Sequence, residues 1–181
     1  MSDIPRANSV GRRVVVTGMA GAGKSTFSRA LSAKTGLPVI VLDVHFWLPG
    51  WATPTEAEWR EKQRMLLAGD DWIADGNYHA TLDLRLERAD TVVFLDIRWW
   101  ICAWRAFVRG IRARPVGFQL PEGCEESRLR LLRDEWCLVW RIWRGRRSER
   151  ETELNIVAQH GNHVEMYMLR SRRDVREFLG A

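Results

Sequence analysis

Eight consecutive residues, Gly18-Met19-Ala20-Gly21-Ala22-Gly23-Lys24-Ser25, follow the pattern G-x-x-x-x-G-K-[ST]. The segments on either side have opposite habits. Val14-Val15-Val16 is β-branched and apolar, as a buried strand is, while Thr26-Phe27-Ser28-Arg29-Ala30-Leu31 continues as a helix that Gly36 and Pro38 stop. Strand, glycine-rich turn and helix together are the context in which this pattern cradles phosphate. The three glycines let backbone N–H groups turn inward around phosphate oxygens, and the helix N-terminus adds partial positive charge. Gly18, Gly21, Ala22, Gly23, Lys24, Ser25 and Thr26 are therefore the candidate nucleotide-binding residues. Lys24 is the candidate catalytic cation for the β/γ-phosphates, in a cradle expected to be solvent-filled, and Ser25 is a candidate Mg²⁺ ligand.

The rest of the chain alternates strand and helix. Residues 38–42 read as a second strand ending at Asp43. Thr53-Pro54-Thr55-Glu56 reads as a helix start with cap, N1 proline and reciprocal glutamate, for a helix running to about Ala68. Trp72-Ile73-Ala74 ends at Asp75, and residues 91–95 end at Asp96. Two long helical segments follow, at about 98–112 and 125–144. In the second, Leu129, Leu132, Trp136, Val139, Trp140 and Trp143 recur at helical spacing and read as core. Ser148-Glu149-Arg150-Glu151 reads as a capping box, residues 164–169 as a fifth strand, and Ser171 as the cap of a short terminal helix. Five short strands with intervening helices imply an α/β domain with a parallel sheet between two helical layers, and ligands beyond the strands' carboxyl ends.

A chain of 181 residues is one domain with room for a core, so 1–181 is read as a single unit. The net charge of +5 is uneven: residues 98–147 hold twelve arginines against five acids, which leaves the remainder slightly acidic. Such a block fits either polyphosphate or nucleic acid. Cys102, Cys124 and Cys137 form no C-x-x-C pair, so neither a disulfide framework nor a zinc site is indicated, and a reducing cytoplasm is expected. No signal peptide and no spanning stretch is read.

Asp43, directly after a strand, is a candidate to hold Mg²⁺ through water or to take the proton of an attacking hydroxyl; a turn aspartate is the plainer alternative. Asp75-Gly76-Asn77 has similar geometry, although Asp-Gly is itself a turn signal. Arg98, Arg105, Arg109 and Arg112 share one helical stripe and can grip phosphates, with Trp99, Trp100, Trp104 and Phe107 expected on a buried opposite face. Residues 113–124, with proline and glycine at both ends, are a candidate lid loop. The aromatic stretch around His45 is a candidate acceptor contact. His160 and His163 flank a helix stop and are not read as a metal site.

Taken together, the glycine loop, Leu42-Asp43 with His45-Phe46-Trp47, the segment Trp72 to Tyr78, Ala89 to Asp96, Arg105 with Arg109, and Gly123-Cys124-Glu125-Glu126 resemble the adenylate-kinase-related P-loop family labelled topology modulation protein (FlaR-related). The resemblance implies the nucleoside-monophosphate-kinase fold, a three-layer P-loop NTPase with strand order 2-3-1-4-5, and ATP with Mg²⁺. It also implies that Arg105 packs near adenine, that Arg109 meets phosphate as a catalytic cation, and that Asp43 and Asp75 organise acceptor and magnesium-bound water. Adenylate kinases carry Asp-Gly-Phe-Pro-Arg after the third strand. Here Asp75-Gly76-Asn77-Tyr78-His79 stands instead, so AMP is not the expected acceptor. The sequence thus predicts an ATP-dependent phosphotransferase acting on a small acceptor, with no membrane association. The alternative is an NTP-dependent nucleic-acid-associated regulator that uses residues 98–147.

Overall fold

The computed structural model describes residues 10–111, 137, 139, 140, 142–145 and 147–180, the side chains of 109–111 excepted. The candidate lid at 113–124, Arg112, Cys124, and Leu129, Leu132 and Trp136 lie outside the described residues.

The elements are β1 (Arg13–Thr17), α1 (Lys24–Thr35), β2 (Val39–Val41), α2 (Leu42–Phe46), α3 (Glu56–Leu66), β3 (Trp72–Asp75), α4 (Leu82–Leu86), β4 (Thr91–Leu95), α5 (Trp99–Ile111), α6 (Ser148–His160), β5 (Glu165–Leu169) and α7 (Arg172–Leu179). All strand pairs are parallel and the sheet order is β2-β3-β1-β4-β5, as expected. β1 lies at the centre, with Val15 opposite Ala74 on one side and Val92 on the other.

The strand period of two sorts this centre between two cores. Val14 and Val16 face Phe27, Leu31, Cys102 and Phe178, under α1, α5 and α7. Val15, Trp72, Ala74 and Val92 face Leu82, Leu86 and Val157, under α4 and α6. Burial on both faces is why β1, β3 and β4 read as continuous apolar runs.

Local details depart from the sequence reading where two signals compete. β2 stops at Val41 and the chain turns at once into α2, because Leu42 drops fully into the core. Asp43 is therefore in the first turn of a short helix rather than at a strand end. The α3 cap is Thr55 paired with Glu58, two residues later than the Thr53–Glu56 reading. Thr55 is the cap because its box closes in both directions: its hydroxyl accepts from the Glu58 N–H, and the Glu58 carboxylate accepts from the Thr55 N–H. The expected Ser148–Glu151 box does not form: Arg147 is the cap position, and Ser148, already helical, donates to the Gly145 carbonyl at 3.3 Å. Ser171 does cap α7, in a reciprocal box with Asp174.

α5 reverses the expected faces. Cys102 and Ala106 are buried, whereas Trp100, Trp104 and Phe107 are exposed, as are Trp140 and Trp143; Ile142 takes the buried place beside them. Small residues bury here because α5 lies directly on the glycine loop: a Cβ on Gly21 would lie 2.3 Å from the Cys102 carbonyl oxygen. Cys102 and Cys137 are free thiols. Among the described residues, no helix is long and apolar enough to cross a membrane.

Candidate active site

The loop between β1 and α1 takes the shape its glycines permit. Gly18 and Gly21 adopt φ of 129° and 82°, which side-chain-bearing residues rarely reach. Added Cβ atoms there would lie 2.6 Å from the Leu95 carbonyl oxygen and 2.3 Å from that of Cys102. β4 and α5 thus wall the loop from behind. Arg105 tightens this wall, its Nη1 donating to the Ala22 carbonyl at 2.9 Å.

Lys24 is not in an open, solvent-filled cradle. Its Nζ donates to the carbonyls of Gly18 at 2.7 Å and Met19 at 3.2 Å. Burial pushes its pKa down, opposed by the charges of Asp75, Glu153 and Asp43. The ammonium thus bridges two carbonyls of its own loop.

Asp75 ends β3 and is buried. Desolvation raises its pKa, against hydrogen bonding from Ser25 and the charge of Lys24. Its Oδ2 has no hydrogen-bond partner. A buried carboxylate oxygen left unpaired beside a loop serine fits a hydrated Mg²⁺, which dehydrates reluctantly and needs few protein ligands. The described residues contain no cluster of three or more acidic, histidine or cysteine side chains that could hold a metal ion.

Asp43 is exposed, and its Oδ1 accepts a hydrogen bond from the Tyr78 hydroxyl at 2.8 Å. Tyr78 has a positive φ of 32°, an uncommon conformation for a bulky residue. Arg85 of α4 holds that backbone in place. It is fully buried and donates to the carbonyls of Gly76 (2.6 Å), Asn77 (2.5 Å) and Tyr78 (2.9 Å). Burial pushes its guanidinium down to about 10. His79 Nε2 meets buried Glu153 Oε1 of α6 at 2.6 Å, which fixes the far end of the same loop. Phe46 packs against Trp47, Trp59 and Tyr78 with ring centroids 5.2, 5.2 and 4.6 Å away. His45, expected as an acceptor contact, offers its carbonyl to Lys62 Nζ at 2.5 Å, and burial lowers its imidazole pKa.

Beyond the carboxyl ends of β4 and β5 lies a cavity of about 940 Å³, lined by Met19, Asp96, Arg98, Arg105, Arg150 and Arg170 among others. Its size suits a nucleotide-sized ligand. Asp96 is held there by Arg150, at 2.8 and 3.0 Å, and approached by Arg170 at 3.7 Å. The backbone of Arg109 lies in α5 one turn after Arg105, and its side chain is outside the described residues.

The structure thus brings Lys24, Ser25, Asp43 and Asp75 to one end of the sheet, and sets Arg105 behind the loop. The sequence reading missed Tyr78 as Asp43's partner, Arg85 as the loop's anchor, and the contacts of His79 with Glu153 and Arg150 with Asp96. For Arg85 a signal existed: an arginine between leucines in Leu82-Asp83-Leu84-Arg85-Leu86 is unusual for a buried stretch.

No family model matches the chain, and no curated protein matches it significantly in sequence. Among solved structures, shikimate kinase from Acinetobacter baumannii in complex with shikimate superposes with a TM-score of 0.50 at 17% identity, over 94% of this chain and 90% of that one. Shikimate kinase from Bacteroides thetaiotaomicron gives 0.46 at 18% identity, over 91% and 92%. A gluconokinase from Sinorhizobium meliloti 1021 gives 0.41 at 18% identity, over 71% and 91%. With the glycine loop and strand order, the first of these shows a three-layer α/β P-loop fold.

Proposed function

We propose that the chain is an ATP-dependent phosphotransferase that moves the γ-phosphoryl group to a small acceptor. One observation carries the reading: the loop lysine is held between Gly18 and Met19 carbonyls while Asp75 Oδ2 is buried and unpaired beside the loop serine. An incoming polyphosphate would take Lys24 from those carbonyls. Ser25 and Asp75 would hold a hydrated Mg²⁺, which when bound neutralises charge on the β- and γ-oxygens. Asp43 would accept the acceptor's hydroxyl proton, oriented by Tyr78. Arg105, at the cavity and bonded to Ala22, would line the base, and Arg109, on the motifs alone, would meet phosphate. The similarity to shikimate kinase in fold and the adenylate-kinase-like motifs both favour this class. A place in the topology modulation family rests on the motifs alone.

The test is acceptor-dependent ADP formation across nucleoside monophosphates, nucleosides and small polyols. AMP is expected to be poor. A kcat/KM for AMP above ~10⁵ M⁻¹s⁻¹, ordinary for a cognate substrate, would make the protein an adenylate kinase.

A second reading is favoured by the exposed aromatic face of α5 together with Trp140, over which Arg144 lies at 5.1 Å. Arginine and tryptophan on one surface can bind single-stranded nucleic acid. That reading requires affinity that falls steeply with salt.

A further inference from the structure

Glu153 lies on α6 one turn before Val157, which packs into the core with Val15, Trp72 and Leu82. Glu153 is buried as well, and a carboxylate in such a place costs free energy that an apolar side chain would not. What it holds accounts for its presence. Its Oε1 meets His79 Nε2 at 2.6 Å. Burial lowers the Arg85 pKa, and the charge of Glu153 is the strongest influence against that lowering. Among the described residues, Glu153 Oε2 and Arg85 Nε have no hydrogen-bond partner, so the carboxylate reaches the guanidinium through charge.

Both partners of Glu153 bear on the same stretch of chain. Arg85 donates to the carbonyls of Gly76, Asn77 and Tyr78, and His79 is the next residue. Between them stands Tyr78, whose φ of 32° is one that a bulky residue rarely adopts. Such backbone persists only where its surroundings over-determine it. The Tyr78 carbonyl also accepts from the Thr81 N–H at 3.0 Å, which closes the turn that follows. At the other end of the side chain, the Tyr78 hydroxyl donates to Asp43. A continuous path therefore runs from Glu153 through His79 and Tyr78 to the carboxylate of the acceptor site.

We infer, resting on the phosphotransferase reading, that Glu153 is a positioning residue for the acceptor step: by holding His79, and with it the backbone of Tyr78, it keeps the Tyr78 hydroxyl on Asp43. Glu153 also lines the nucleotide-sized cavity. A direct part in nucleotide binding is thus the competing role, and the two differ in which kinetic constant moves.

The test measures initial rates of ADP formation with ATP, Mg²⁺ and whichever nucleoside monophosphate, nucleoside or small polyol the wild type uses best. Glu153→Gln keeps the shape and removes the charge. His79→Leu removes the partner, and His79→Gln keeps a donor nitrogen. Hydrogen exchange of the Thr81 amide in the ligand-free protein reads the same turn without turnover. Glu153→Gln and His79→Leu are each expected to lower kcat by about three- to tenfold, a coupling usual within one contact network, without raising KM for ATP. His79→Leu is expected to speed Thr81 exchange, and His79→Gln to bring both readings back toward wild type. In a Tyr78→Phe background, His79→Leu is expected to lower kcat by less than about twofold further, since the bond it positions is already gone. Wild-type kcat in both Glu153→Gln and His79→Leu, a full additional loss in the Tyr78→Phe background, or a rise in KM for ATP that matches the fall in kcat overturns the inference and leaves the phosphotransferase reading standing. If Glu153→Gln does not fold, the two His79 variants decide by the same criteria. ADP formation that no acceptor raises above the acceptor-free rate removes that reading, and the inference with it.

Discussion

The Tyr78 hydroxyl donates to Asp43 Oδ1 at 2.8 Å, joining the segment after β3 to α2, 35 residues apart in sequence. The bond fixes the orientation of the Asp43 carboxylate. The same proximity, after burial, drives the Tyr78 hydroxyl far above its ordinary pKa. Tyr78→Phe removes the donor and keeps the ring. Hydrogen bonds to charged groups contribute ~1.5–3 kcal/mol, so kcat is expected to fall about tenfold or more while KM for ATP is unchanged. An unchanged kcat, or a matching loss of ATP affinity, would separate Tyr78 from the acceptor step.

Asp43→Asn removes the group itself. The expected loss is ~10²–10⁴-fold in turnover, the usual cost of losing a general base, with little change in ATP affinity. Equal losses in both, measured by steady-state rates and nucleotide titration, would place Asp43 in nucleotide binding instead.

Asp75 links the site to stability. Its folded pKa is raised, chiefly by burial, so the native state holds a proton more tightly than the unfolded chain. Stability of the ligand-free protein should therefore fall as pH rises from the ordinary carboxylate range toward the raised value, and stay lowered at neutral pH. Asp75→Asn is expected to melt higher than wild type at pH 7, by about 2–4 °C for each kcal/mol relieved. The gain should vanish near pH 4, and Mg²⁺-dependent turnover should drop. Melting curves from pH 4 to 8 decide; a variant less stable at pH 7 contradicts the account.

Arg85 carries the opposite trade. Arg85→Met would keep the volume but leave the Gly76, Asn77 and Tyr78 carbonyls without their donor. Breaking a buried charged network costs ~3–5 kcal/mol, which urea unfolding would read directly. A loss under about 1 kcal/mol would mean that water replaces the guanidinium.

Much of this was legible in the sequence because it is local. The glycine loop, five apolar strand runs and the sheet order follow from contiguous residues and from the resemblance they support. The site's working contacts are not local: Asp43 with Tyr78, His79 with Glu153 and Asp96 with Arg150 join residues 35, 74 and 54 positions apart. Nor does composition reveal which face of α5 is buried. The aromatic run predicts a buried face, yet Trp100, Trp104 and Phe107 are exposed, and the side that packs on Gly21 is the one carrying Cys102 and Ala106. α4 escaped notice because Leu82, Leu84 and Leu86 alternate as in a strand while every residue of Leu84-Arg85-Leu86 is buried, so no helical period shows.

The central claim is that Lys24 exchanges the Gly18 and Met19 carbonyls for the phosphates of ATP during transfer. The most direct measurement is ADP formation by wild type and Lys24→Ala with ATP, Mg²⁺ and the best acceptor, alongside circular dichroism to verify the fold. The account predicts an intact fold, weakened ATP binding and turnover lower by ~10²–10³-fold or more, the scale of losing one charge-stabilising donor. A folded variant that transfers phosphoryl groups at the wild-type rate would contradict it.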